Sequence, residues 1–470
     1  MVHLNKNVQK LFTEGSDLLR KGNDTEALLR FQAALNVAPS NAILHLHTGA
    51  ALHNIERYEE AVASYQRAIN FAPGLGEAHN NLGNSLMALG HFAEAAASFT
   101  KASEILASSP VPLTARATAL QAIGYVTEAE NDCRQALILD PSFAAAHWNL
   151  ALNLLLQGRY IEGWQEYEWR WKKPDFTSPC RHTDIPPWDG SPLNGETILL
   201  HAEQGFGDAI QFVRYAPMVA RRGGRVVIEC HHQLVQLFQG VEDVHEVVSF
   251  GTALPHCSCQ SPLLSLPRIF GTTLLTIPSK CPYLTIAAKY RAKWAARLAA
   301  FPPATRVGLV WAGKSYPDPL RSCQLSDFSP LATFHDITFF SLQIGAGSDQ
   351  VFSSPSGMQL IDLTGQIHDF ADTAALIEQL DLVISIDTAA AHLAGSLGKS
   401  TCTLLPFAAD WRWLLERSDS PWYPTMRVFR QQHPNDWREV ISQVHAFLAV
   451  WTKKSLEAAP KGSVSCCITM

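Results

Sequence analysis

Small and aromatic positions recur every 34 residues along the first third of the chain. Gly15, Gly49 and Gly83 form one series, continued by Ala117 and Ala151. Ala27, Ala61, Ala95, Ala129 and Gly163 form a second, and Phe31, Tyr65, Phe99, Cys133 and Tyr167 a third. Pro39, Pro73 and Pro141 form a fourth, with Ala107 in the remaining place. This period predicts stacked pairs of antiparallel helices. Small residues let the two helices approach, an aromatic ring fills the gap, and Pro ends the second helix. The array runs from about Val8 to Pro141. A fifth pair is expected near Ala144 to Trp171, and its Trp164, Tyr167, Trp169 and Trp171 are expected to pack the array against the domain C-terminal to it.

Residues 173–195 are rich in Pro, Ser, Asp and Gly and read as a linker. Beyond them the period changes. TILLHA (197–202), RVVIEC (225–230) and VHEVVSF (244–250) are apolar runs of strand length. Between the first two lies a helical stretch from Gly207 to Gly224, which Pro217 should kink or shorten. IAAKYRAKWAARLAAF (286–301) predicts a connecting helix. A second set of strands is expected at 306–313, 337–343, 359–364, 380–387 and 400–406, alternating with helices such as 369–380 and 388–398. Alternating strands and helices predict two α/β lobes with parallel sheets, 196–285 and 305–452, and a disordered tail from 453 to 470.

Composition narrows the function. The chain has 470 residues and a formal charge of −6, so it lacks the basic footprint of a nucleic-acid binder. No apolar run reaches membrane-helix length and the first residues carry no signal-peptide core, which predicts a cytoplasmic protein without stable membrane insertion. Ten scattered cysteines suit reduced thiols. His256, Cys257 and Cys259 lack a second ligand pair at zinc spacing, so no metal is expected. Cys467 to Met470 fits a prenylation pattern, with Cys466 beside it, but so short a pattern also arises by chance.

The stretch HAEQGFGDAIQF (201–212) puts Gln204, Gly205, Gly207 and Asp208 at a strand-to-helix turn. A dinucleotide fingerprint would need a third glycine where Ile210 stands. Glycines at such a turn permit a tight bend and close approach of a ligand. Asp208 in the first helical turn is either a capping residue or an ionised general base facing a cleft.

The 34-residue array resembles the tetratricopeptide repeat. Related arrays on O-GlcNAc transferases line their groove with asparagines. The equivalent positions here read Thr13, His47, Asn81, Ala115 and Asn149, so the same grip on a peptide does not carry over. The stretch HAEQGFGDAIQFVRYAPMVARRG resembles the first loop and helix of bacterial heptosyltransferase-like enzymes (glycosyltransferase family 9). In these a Gly-Asp pair stands at the turn and the Asp is the proposed base. ISIDTAAAHLAGSLGKSTCTLLP is similar to the family's second-lobe motif, which implies donor contacts for Asp387, Thr388, Ala389 and His392. RVGLVWAGKSYPDPLRS and DWRWLLERSDSPWYP resemble bacterial proteins that fuse such repeats to this lobe pair. Lys314 and Arg321 stand on the loop that follows Trp311-Ala312-Gly313 and, with Gln343, are expected on the donor side. The loop after Trp311-Ala312-Gly313 is shorter here than in those proteins.

The resemblance implies an α-solenoid followed by a two-lobed GT-B-like double Rossmann domain, with the acceptor on the first lobe and the nucleotide sugar on the second. It implies a metal-independent, inverting glycosyltransferase with no cofactor beyond its nucleotide-sugar co-substrate, acting on a protein or glycan acceptor brought by the repeats. Thr388 opens a helix after a strand, where free N–H groups suit a diphosphate. His392 could equally be a core histidine on its Ala-rich helix. Two alternatives remain: a repeat scaffold whose transferase lobes no longer catalyse, and a sugar-nucleotide epimerase of the same fold. The identity of the sugar, nucleotide and acceptor is not legible in these motifs.

Overall fold

The protein, described here from a computed structural model covering residues 6–314 and 319–458, comprises two compact units. One holds Met1–Leu155 with Gln165–Asp175, the other Leu156–Trp164 with Phe176–Met470.

Helices α1 (Lys6–Arg20) and α2 (Asp24–Val37) form the first antiparallel pair. They are followed by α3 (Ala42–Asn54) with α4 (Tyr58–Phe71), α5 (Gly76–Ala88) with α6 (Phe92–Ile105), and α7 (Pro110–Ala122) with α8 (Val126–Leu139). α9 (Ala144–Leu156) and α10 (Tyr160–Tyr167) complete the series. The glycine and aromatic series of the sequence are two sides of one contact. A Cβ added at Gly15 would lie 2.6 Å from the Phe31 ring, one at Gly49 2.6 Å from Tyr65, and one at Gly83 2.5 Å from Phe99. Ala27, Ala61, Ala95 and Ala129 are fully buried at the same crossings. Gly49→Ala is therefore expected to lower the stability of the array by about 1–3 kcal/mol, read from its helical melting curve. Tyr65→Leu, added to it, should recover part of the loss.

A further series escapes the residue-type pattern alone. His45, His79 and His147 each place Nε2 on the carbonyl of the Pro six residues earlier, at 2.8, 3.1 and 3.0 Å. The place where Ala107 replaces Pro carries Leu113 instead of His. The pair thus enters and leaves together, because the histidine closes the turn that the proline opens. The positions equivalent to the asparagine ladder are occupied locally: Thr13 and His47 bond carbonyls of their own helices, and Asn149 bonds Thr114 O and Thr118 Oγ1.

Of the four aromatic residues expected to pack onward, Trp164 alone lies in the second unit. There its Nε1 donates to the Thr272 carbonyl at 3.1 Å, and its ring meets Phe212 and Trp411. The other three belong to the first unit and have partners there. Trp169 stacks on His147 with centroids 3.7 Å apart, Tyr167 meets Trp148, and the buried Arg170 lies over Tyr167 and Trp171.

The second unit contains two parallel sheets. In the first lobe β1 (Thr197–His201), β2 (Arg225–Cys230), β3 (Val244–Ser249) and β4 (Cys259–Pro262) lie in the order β3-β2-β1-β4. In the second, β5 (Thr305–Val310), β6 (Ile337–Ser341), β7 (Leu360–Asp362), β8 (Leu382–Ile386), β9 (Thr401–Leu405) and β10 (Met426–Arg430) lie in the order β10-β9-β8-β5-β6-β7. Strands β4 and β10 were not among the expected runs. Each is short and mixes polar with apolar residues. The helical stretch after β1 is divided. α11 (Phe206–Phe212) passes through a 3-10 turn into α12 (Ala216–Ala220), whose first turn holds Pro217, where its missing N–H is harmless. α13 (Val235–Phe238) and α14 (Leu266–Ile269) complete the first lobe.

The connecting helix α15 (Ala288–Leu298) packs on α16 (Phe370–Glu378) of the second lobe. Trp294 Nε1 and Lys293 Nζ both donate to Asp372 Oδ1, at 2.9 and 2.6 Å. Two further helices, α17 (Ala389–Ser396) and α18 (Trp437–Ala458), complete the unit. α18 continues through residues 453–458, where the tail was expected to begin. The cysteines 466 and 467 lie outside the described residues. The stretch expected as a linker is laid along the first lobe: Trp188 is buried, its N–H donates to the Gln260 carbonyl on β4, and His182 Nε2 meets Glu229 Oε2 at 2.7 Å.

Candidate functional site between the two lobes

The turn after β1 and the start of α17 after β8 lie at carboxyl ends of parallel strands, where open α/β sheets bind ligands. Gly205 caps α11 with an extended backbone, φ −92° and ψ 173°. The left-handed conformation falls instead on Gln204, at φ 59°, whose N–H is held by Ser178 Oγ at 2.7 Å. Gly207 serves a packing contact rather than a bend. A Cβ there would lie 2.9 Å from His392 Cδ2 and 3.6 Å from Ala389 Cα. Only a residue without a side chain lets α11 approach α17 so closely.

Asp208 is tied at both ends. Oδ2 accepts the Gly205 N–H at 2.8 Å, a cap on the helix start. Oδ1 accepts from Arg412 Nη2. Arg412 is buried, and also reaches Gln211 Oε1 at 2.7 Å and Asp410 Oδ1 at 2.9 Å. An ionised carboxylate has about four acceptor positions, so these bonds leave room for a further donor.

On the second lobe Asp387 Oδ2 accepts from Trp413 Nε1 at 2.9 Å, and Oδ1 stands 3.6 Å from His392 Nε2. Burial pushes the Asp387 carboxyl up, but His392, Trp413 and the charge of Arg412 outweigh it and hold it below its usual range. Burial, together with the Asp387 charge, pushes Asp410 up despite Arg412. His392 is 5% exposed, its Nδ1 is on Tyr423 Oη at 2.9 Å, and its ring stacks on Trp413. It is a buried histidine beside Asp387. Thr388 caps α17 without a side-chain bond to it; its Oγ1 is 3.0 Å from Ser385 Oγ. Thr388 and Ala389 are partly exposed.

Gln343, expected on the donor, is buried. Its Oε1 accepts the N–H groups of Trp311 and Ala312, and its Nε2 donates to the carbonyls of Ala312 and Ala346. All of its hydrogen-bonding capacity goes to the exits of β5 and β6. Lys314 and Arg321 differ from it. Arg321 lies over Gly313, where a Cβ would meet its Nε at 2.9 Å, and its Nη2 donates to the Lys314 carbonyl at 3.0 Å. Its Nε is buried without a partner, and neither cation pairs with a carboxylate among the described residues.

Sequence reasoning missed Arg412, Trp413, Asp410, Tyr423, Arg214 and His231. The first four lie in DWRWLLERSDSPWYP, a stretch whose resemblance to the fused bacterial proteins gives its residues no roles. Arg214 is a buried cation that bonds the Trp422 carbonyl at 2.7 Å and Tyr283 Oη at 2.9 Å, joining the lobes behind α11. Two hollows, about 310 Å³ beside Lys293 and Gln366 and about 580 Å³ beside Phe447 and Trp451, share no residue with this site. Among the described residues no three His, Cys, Asp or Glu side chains gather to hold a metal, and no helix is long and apolar enough to cross a membrane.

Models of the tetratricopeptide repeat match residues 12–75, 76–106 and 114–163. The N-terminal helices are tetratricopeptide repeats. Protein FlbA of Caulobacter vibrioides is 26% identical over 360 residues, covering 70% of this chain and 59% of that protein. The chain thus spans less than two thirds of this relative. The matched share is larger than the repeats, so the likeness continues into the α/β unit. Similar solved structures include a MamA RS-1 ArsTM double mutant, at 15% identity over 35% of this chain and 93% of that one, TM-score 0.33. They also include pilF of Pseudomonas aeruginosa (18%, 35% and 75%, TM-score 0.33) and a thermophilic repeat protein of Thermus thermophilus (19%, 34% and 88%, TM-score 0.31).

Proposed function

We propose that the α/β unit transfers a sugar from a nucleotide sugar to an acceptor hydroxyl, and that the repeats present a protein or glycan acceptor. One observation carries the reading. The Asp208 turn and the start of α17 meet at the carboxyl ends of two parallel sheets, with Gly207 against His392 and Ala389. Lys314 and Arg321, which pair with no carboxylate among the described residues, supply the charge a departing phosphate needs. The N–H groups at the start of α17 add to it. Asp387 orients the donor, and proton removal from the acceptor is centred on Asp208.

A thermal screen with UDP-, GDP-, ADP-, dTDP- and CMP-linked sugars tests the donor half. At a hundred times its dissociation constant a ligand stabilises the native state by about 2.7 kcal/mol. A shift is expected with one of these donors, and Lys314→Ala/Arg321→Ala should abolish it. No shift with any of them would count against the donor site.

The engagement of both Asp208 oxygens and the burial of His392 favour a second reading, a repeat scaffold with non-catalytic lobes. It predicts no release of nucleoside phosphate from a donor that binds. An epimerase would convert its donor without an acceptor.

A further inference from the structure

His231 follows β2 directly. The register pairs His201 with Glu229, so His231 stands level with the turn that carries Asp208. Its ring lies edge-on to Phe206 at 4.9 Å and to Phe250 at 4.7 Å. Phe206 in turn meets Phe370 of the second lobe at 4.9 Å, which fixes the imidazole where the lobes meet. Its Nδ1 is buried without a hydrogen-bond partner. The other titratable groups of the site have hydrogen-bond partners: Asp208 has Gly205 and Arg412, Asp387 has Trp413, and His392 has Tyr423.

We propose that His231 is the group that takes the acceptor's proton, with Asp208 as the anion that stabilises the imidazolium. The inference rests on the glycosyl-transfer reading above. In the step, the acceptor oxygen attacks the anomeric carbon as its O–H bond breaks. The bond from that carbon to the phosphate oxygen breaks, and its electron pair leaves with the nucleoside phosphate. The proton passes to the His231 imidazole and then to water. The charged groups acting on the ring are Arg181, Lys314 and Asp208. Burial first, then Arg181 and Lys314, hold the imidazole below the ordinary histidine value, with Asp208 opposing. It is therefore neutral near pH 7, the state that can accept a proton.

The test uses the full chain with the same panel of nucleotide sugars, water and glycerol as acceptor hydroxyls, and released nucleoside phosphate as readout. His231→Ala should slow release roughly 10²–10⁴-fold without weakening donor binding, and added imidazole should restore part of the rate. His231→Gln, closer in shape, should be equally slow. The wild-type rate should fall on acidification through a pH below the ordinary histidine value. Release by either variant at the wild-type rate would overturn the role of His231, as would a loss that imidazole does not repair. A wild-type chain that releases no nucleoside phosphate would overturn the reading beneath it.

Discussion

Arg412→Met should destabilise the α/β unit by about 3–5 kcal/mol. The guanidinium is buried and bonds Asp208, Gln211 and Asp410. Methionine fills much of the same volume, so the loss is electrostatic rather than a cavity. It strands Asp208 and Asp410 beside Asp387, whose charge already pushes Asp410 up. Asp208 keeps its Gly205 N–H and about a third of the Asp410 side chain is exposed, which places the loss nearer the lower bound. Arg412→Lys keeps the charge but not the three-way fork, and should recover only part. The measurement is a urea transition followed by tryptophan fluorescence, with the midpoint moving and the slope unchanged. A loss below about 1 kcal/mol would match an exposed pair instead and would contradict the buried geometry.

The repeat architecture was legible because its physics recurs. Each crossing needs a residue without bulk opposite a ring, as at Gly49 and Tyr65, and the 34-residue spacing makes that need visible again and again. The α/β strands were legible where both faces are buried, as in Thr197–His201 and Leu382–Ile386. Strands β4 and β10 were not, because Cys259–Pro262 reads as turn chemistry and Met426–Arg430 carries two arginines, Arg427 and Arg430, at the sheet edge. At the end of the fifth helical pair the tryptophans announced burial without naming the surface that covers them.

The site was legible only at its glycines and acids. Gly207 signalled close approach, and in the fold the body that approaches it is His392. Gln343 stood at the end of a strand, where a donor contact is expected, yet two strand exits need its amide to close their backbone bonds. Arg412 lies 204 residues from Asp208 in the chain. No periodicity links them; the pair exists only because α11 and the loop after β9 meet across the lobes. His231 carried no signal beyond its place after an apolar run.

Asp208→Asn tests the central claim most directly. Asn keeps the cap to Gly205, since Asn and Asp cap about equally well. The Arg412 bond survives as a weaker contact, so a stability loss of about 1–2 kcal/mol is expected, too small to unfold the unit. What Asn cannot supply is the negative charge that proton removal needs. The measurement is nucleoside phosphate released from a bound nucleotide sugar, wild type against Asp208→Asn at equal donor saturation. The expected result is a fall of roughly 10²–10⁴ in turnover with donor affinity little changed. Turnover by Asp208→Asn at the wild-type rate would contradict it.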